Sequence, residues 1–117
     1  MPAWHHRVTR GEDYRRVVRT GNRVGGASCI TYAVRRSAGG SESAAARFGF
    51  IISKAVGNAV TRNLVRRRMK SVADELIRDG AEGIDVVFRA LPKAADTPYP
   101  DLRRDMRRAL EKLTSKL

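Results

Sequence analysis

The sequence predicts an α+β fold: three helices packed on a small mixed four-stranded sheet, in the order α-β-β-β-α-β-α. Three observations lead there. Apolar residues recur at helical spacing in two stretches, Val65/Met69/Val72/Leu76 and Leu102/Met106/Ala109/Leu110/Leu113. Two runs, Ser28 to Arg36 and Ala46 to Ser53, are rich in β-formers. Another, Ile84 to Leu91, is almost continuously apolar, the pattern of a buried strand. At 117 residues, 1–117 reads as one domain with a modest core, and residues 1–8 as a flexible tail.

The elements follow in order. Thr9-Arg10-Gly11-Glu12 has the capping-box pattern, so a short helix is expected to about Thr20, with Gly21 after its end. Tyr14, Val17 and Val18 form its apolar edge, and Arg15, Arg16 and Arg19 make the other side basic. Arg23 to Gly26 is a short strand or turn. Ser28 to Arg36 and Ala46 to Ser53 read as an antiparallel hairpin across the loop Ser37-Ala38-Gly39-Gly40-Ser41-Glu42-Ser43. Alternation places Phe48, Phe50 and Ile52 on the core face of the second run. Arg47, Gly49, Ile51 and Ser53 take the other face, where Gly49 implies a close approach or an open spot.

A long helix is expected from Val60 or Thr61 to Arg78, ended by Asp79-Gly80, with Glu75, Asp79, Glu82 and Asp85 making its far end acidic. Pro92 stops the buried strand, and Arg89 is the one cation near that strand's end. Asp101 is expected to cap the last helix, whose apolar face extends to Leu117. The opposite face, Arg103, Arg104, Arg107 and Arg108, reads as mostly solvated.

Function is carried by charge. Twenty-four Lys and Arg against twelve Asp and Glu give a net charge of +12, which points to a polyanionic partner. No apolar run is long enough to span a membrane, no secretory signal is legible at Met1 to Arg7, and the single Cys29 allows no internal disulfide. The expected location is the cytoplasm. From Ser53 to Lys70 there are six basic residues and no acid. At about 100° per residue, Arg62, Asn63, Arg66, Arg67 and Lys70 share an arc roughly 140° wide, away from the apolar seam. Lys54 lies just before the turn at Gly57-Asn58. Guanidinium forks match phosphate oxygens, and an amide can bond a ribose hydroxyl or a base edge. Like charges at i,i+4 repel and oppose the positive end of the helix dipole, so an absent anionic partner explains the cluster better than solvation does. No catalytic triad, paired-carboxylate metal site or phosphate loop is legible. Neither catalytic nor metal-ligating residues are assigned, and the residues alone describe a nucleic-acid-binding module, with DNA as one rival target.

The stretch Arg47-Phe48-Gly49-Phe50-Ile51-Ile52-Ser53-Lys54, then Val56-Gly57-Asn58-Ala59-Val60 and Arg62-Asn63 with Arg66-Arg67, resembles the signature of the bacterial ribonuclease P protein component. Asp13 to Val18 with Gly21, and Val86 to Arg89, resemble further motifs of that family. The resemblance covers nearly the whole chain. It implies the protein subunit of a ribonucleoprotein that removes the 5′ leader of precursor tRNA by endonucleolytic hydrolysis, with the chemistry in the RNA subunit and Mg2+ bound mainly by that RNA. It also implies a left-handed βαβ crossover at the basic helix. The implied RNA-subunit-binding residues are Lys54, Asn58, Arg62, Asn63, Arg66, Arg67, Arg68 and Lys70. The implied leader cleft is lined by Tyr14, Val18, Tyr32, Arg47, Ser53 and Arg89. The implied partners are the catalytic RNA and precursor tRNA, with no membrane and no obligate protein partner. The sequence departs from the pattern at Ala55, at Leu64 where the family has an arginine, and at Arg68 where it is usually apolar; which of Leu64 and Arg68 faces RNA is left open. Val18 stands where the family often has Phe. The alternative function is a ribosomal-protein-like RNA-binding module without a processing role.

Overall fold

Strand β4 (Ile84–Ala90) takes the centre of the structure, as its apolar run demands. In the computed structural model, which describes residues 11–36 and 45–116, its first five side chains, from Ile84 to Phe88, are buried in succession. A strand covered on both faces reads as apolar throughout rather than alternating. Around it lie α1 (Gly11–Thr20), β1 (Asn22–Gly25), β2 (Cys29–Arg35), β3 (Arg47–Ile51), α2 (Ala59–Arg78) and α3 (Tyr99–Thr114). Short 3-10 turns at Lys54–Val56 and Pro92–Asp96 complete the described elements. Among the described residues the α+β class, the three helices and the four strands are as the sequence predicts. The tail 1–8, Thr9 of the capping box, the 37–43 loop and Leu117 lie outside the described residues.

The sheet order is β1-β2-β4-β3. β1 and β2 form the antiparallel hairpin, β2 pairs antiparallel with β4, and β3 pairs parallel with β4. The expected hairpin between β2 and β3 therefore does not form: β4 lies between them. The physical reason is burial, since β4 has the most apolar surface to cover and gains a neighbour on each side. The expected adjacency of β3 and β4 does hold, with α2 as the connection between the parallel strands.

One face of the sheet carries the main core. Phe48 and Phe88 stack at 6.0 Å, and Phe50 stacks on Phe88 at 6.2 Å. Val65, Met69, Val72 and Leu76 of α2 and Leu102, Met106, Leu110 and Leu113 of α3 close over them. Each of these side chains contributes roughly 1.5–3 kcal/mol on burial. Cys29 sits in this core, where burial pushes its thiol up to about 11. The other face is covered by α1: Val17 packs with Tyr32 and Val87, flanked by Tyr14, Val18, Ile30, Val34 and Ile51.

Two features of the last helix differ from expectation. α3 begins at Tyr99 with Pro98 at the cap position, so Asp101 lies in the first turn instead of capping it. An acid there still favours the dipole. Arg103 and Arg107 are not simply solvated: Arg103 Nε lies 2.8 Å from Glu75, and Arg107 Nη2 lies 2.7 Å from Asp79. α2 ends as predicted, at Asp79 and at Gly80 with a left-handed φ of 95°.

Candidate nucleic-acid interface

The ridge is built at the start of α2. Asn58 caps the helix, its side-chain oxygen accepting from Thr61 N–H at 2.9 Å. That oxygen is committed to the fold, although the residue is exposed. Burying Val65, Met69, Val72, Ala73 and Leu76 fixes the rotation of the helix. Asn63 and Arg67 then point outward, with Arg62, Arg66 and Lys70 half-buried along their flank. Asn63 Oδ1 accepts from Arg66 Nη1 at 3.2 Å, which holds that guanidinium over the amide. Among the described residues the Arg62 Nε–H is buried without an acceptor. Lys54 is exposed in the 3-10 turn ahead of the helix.

No carboxylate among the described residues pairs with Arg62, Arg66, Arg67 or Arg68. Four acids are engaged elsewhere. Glu75 and Asp79 hold Arg103 and Arg107 at the far end of α2, Asp101 holds Arg104, and Asp105 accepts from the buried Ser28 hydroxyl at 2.7 Å. The positive charge is thereby left concentrated at one end of α2, where the helix dipole adds to it. Arg68 leans away from the Arg62–Arg66 flank, with Nη1 3.5 Å from the Thr97 carbonyl. Leu64 is half-buried.

The second feature is a groove beside α1. The Tyr14 ring lies directly over Gly49; a Cβ there would come within 2.7 Å of it. The Tyr14 hydroxyl accepts from Phe50 N–H at 3.2 Å. Gly49 is thus the close approach its position between two phenylalanines predicts. Tyr32 is only 4% exposed, so it forms part of the floor and keeps no free ring face. Beyond the area covered by α1, Ile30, Arg89 and Ile51 sit in register across the sheet, with Gly25 next to Ile30. Arg89 is exposed there, Ile30 and Ile51 are half-buried, and Ser53 is exposed past the end of β3. Val18 on α1 is half-buried against the same cluster.

Arg47 has a different setting. Asp85 is fully buried and binds Arg47 through two hydrogen bonds, at 2.9 and 2.7 Å, and Arg16 through one at 2.6 Å. Arg36 lies 3.8 Å from it and also donates to the Ala45 carbonyl. Burial alone would raise the Asp85 carboxyl; hydrogen bonds from Arg47 and Arg16 and the charges of Arg47 and Arg36 outweigh that and hold it below its ordinary value. Asp85 therefore does not belong to the acidic far end of α2. It ties α1 to the sheet through Arg16. Sequence reasoning missed it; the one available signal was an aspartate inside an otherwise apolar strand, which requires a cationic partner.

Fold and surface together define a class: a small, strongly basic α+β domain with arginines clustered at the start of one helix and a groove beside another, and with no helix long and apolar enough to cross a membrane among the described residues. Residues 3–114 match the family model described as Ribonuclease P. The chain is 46% identical over 105 residues to the ribonuclease P protein component of Kocuria rhizophila, covering 90% of this chain and 88% of that one. It is 44% identical over 110 residues to that of Clavibacter michiganensis, covering 94% of each. A Staphylococcus aureus RNase P protein mutant shares the fold with a TM-score of 0.80 at 21% identity, covering 92% of this chain and 86% of that one. The chain belongs to the ribonuclease P protein family. Membership implies a role in tRNA processing as a subunit of that ribonucleoprotein, with the ribonuclease P RNA as its partner.

Proposed function

We propose that the protein docks the amino-terminal half of α2 on the catalytic RNA and holds the 5′ leader of precursor tRNA in the groove beside α1. The observation that carries this reading is the set of four arginines at positions 62, 66, 67 and 68, which no described carboxylate neutralises. Phosphates supply the missing charge, and Asn63 bonds a ribose hydroxyl or base edge. In the groove, the exposed edge of Tyr14 and the walls at Val18, Ile30 and Ile51 receive unpaired bases. Arg89 follows the phosphates and Ser53 offers a hydroxyl. Tyr32 supports the floor. Arg47 acts through Asp85, by fixing α1.

Hydrolysis of the precursor belongs, on this reading, to the RNA subunit with its bound Mg2+. On this reading the protein contributes no general acid, base or nucleophile. Its part is to screen repulsion between two RNAs and to hold the leader, which favours the magnesium-loaded complex. Reconstitution tests this. The cognate RNA subunit, at a magnesium concentration too low for it to cleave alone, should cut precursor tRNA when the protein is added. No stimulation at saturating protein would reject the reading in favour of an RNA-binding module without a processing role.

A further inference from the structure

Val60 is 79% exposed, the one large apolar side chain so exposed among the described residues. It occupies the second position of α2, amid the exposed Asn58, Asn63 and Arg67. Folding does not account for it there. A β-branched residue gains nothing in helix propensity, an exposed one gains no burial, and the first turn of a helix favours acids. Leu64 follows at i+4, so the two side chains lie one above the other and form a short apolar strip. On the helical wheel the strip runs beside Asn63 and Arg67 and is bounded on its other side by Arg68.

We infer that Val60, backed by Leu64, is an apolar contact for RNA: it packs against the sugar and base face of an unpaired nucleotide in the RNA subunit. This rests on the proposed reading of α2. The cations that border the strip select the occupant, since an apolar protein surface would have to bury them whereas a nucleotide brings phosphate to them. An unpaired nucleotide offers an apolar face and an anion within one residue's length, which matches a valine set beside guanidiniums. The strip thus supplies affinity that does not depend on salt, inside an interface whose remaining affinity does.

The test is salt-dependent binding of the full chain to its RNA subunit, comparing Val60→Ser, Val60→Ile and the double variant Arg66→Ala/Arg67→Ala. Val60→Ser should weaken binding about five- to tenfold at every salt concentration, leaving the log–log slope unchanged. Val60→Ile should bind as the parent does. Each single variant should melt within about 2 °C of the parent, because the side chain is exposed. If Val60→Ser binds like the parent while the double arginine variant is weakened, the inference fails and the proposed interface stands. If both bind like the parent, the interface fails and the inference with it. A parent that self-associates in sedimentation, with Val60→Ser monomeric and equal to it in RNA affinity, would assign the strip to a second copy of the chain and overturn the inference.

Discussion

Replacing Asp85 with Asn should destabilise the protein by about 2–3 kcal/mol. The carboxylate is fully buried and accepts three charged hydrogen bonds, two from Arg47 and one from Arg16. An amide keeps one acceptor and turns an N–H2 group toward guanidinium donors. Breaking a buried pair costs about 3–5 kcal/mol, but Arg16 and Arg47 retain 40% and 24% side-chain exposure and can rehydrate, which lowers the figure. At about 4 °C per kcal/mol for a chain of this size, melting should fall by roughly 8–12 °C. The effect carries a pH signature. The folded carboxyl is held below its ordinary value, so the stabilisation is complete above the unfolded pKa of about 3.9 and is lost as pH falls through the folded value. Circular-dichroism melts should therefore show a constant gap between parent and Asp85→Asn from pH 7 to about 5, closing below about 4. A drop under 3 °C at pH 7, or a gap that ignores pH, would refute the account of Asp85 as the tie between α1 and the sheet.

Other expectations concern the groove. Gly49→Ala puts a methyl within 2.7 Å of the Tyr14 ring, so the ring must swing and its hydrogen bond to Phe50 N–H must lengthen. A loss of about 1–2 kcal/mol in stability is expected in a denaturant titration, together with weaker binding of precursor tRNA. Tyr14→Ala should weaken binding of precursor that carries a leader more than binding of mature tRNA; equal loss for both would make Tyr14 a packing residue only.

Local signals in the sequence reach as far as contacts that are close along the chain. The apolar seam of α2, its end at Asp79-Gly80 and the two-sided burial of β4 all follow from periodicity and composition. The α2 ridge is legible for the same reason, because its residues fall within three helical turns. Contacts between distant residues are not. Asp85 meets partners 38 and 69 residues away, so its role as a buried anchor is invisible in the strand that carries it, and so is the pairing with Arg47, which the family resemblance places at the leader. Arg103 and Arg107 look solvated on their own helix because Glu75 and Asp79, which hold them, lie on α2 and just past its end. The β2–β3 hairpin is the natural guess for neighbouring runs, yet the burial demand of β4 decides the pairing.

Binding of the RNA subunit measured across a salt series, for the parent and for Arg66→Ala/Arg67→Ala, bears most directly on the idea of an anion-seeking helix face. With about four phosphates neutralised by α2, that face should add about −3 to −4 to the log–log slope, and the double variant should flatten the slope by about 1.5–2. A slope identical in the two proteins would mean that these guanidiniums meet no phosphate.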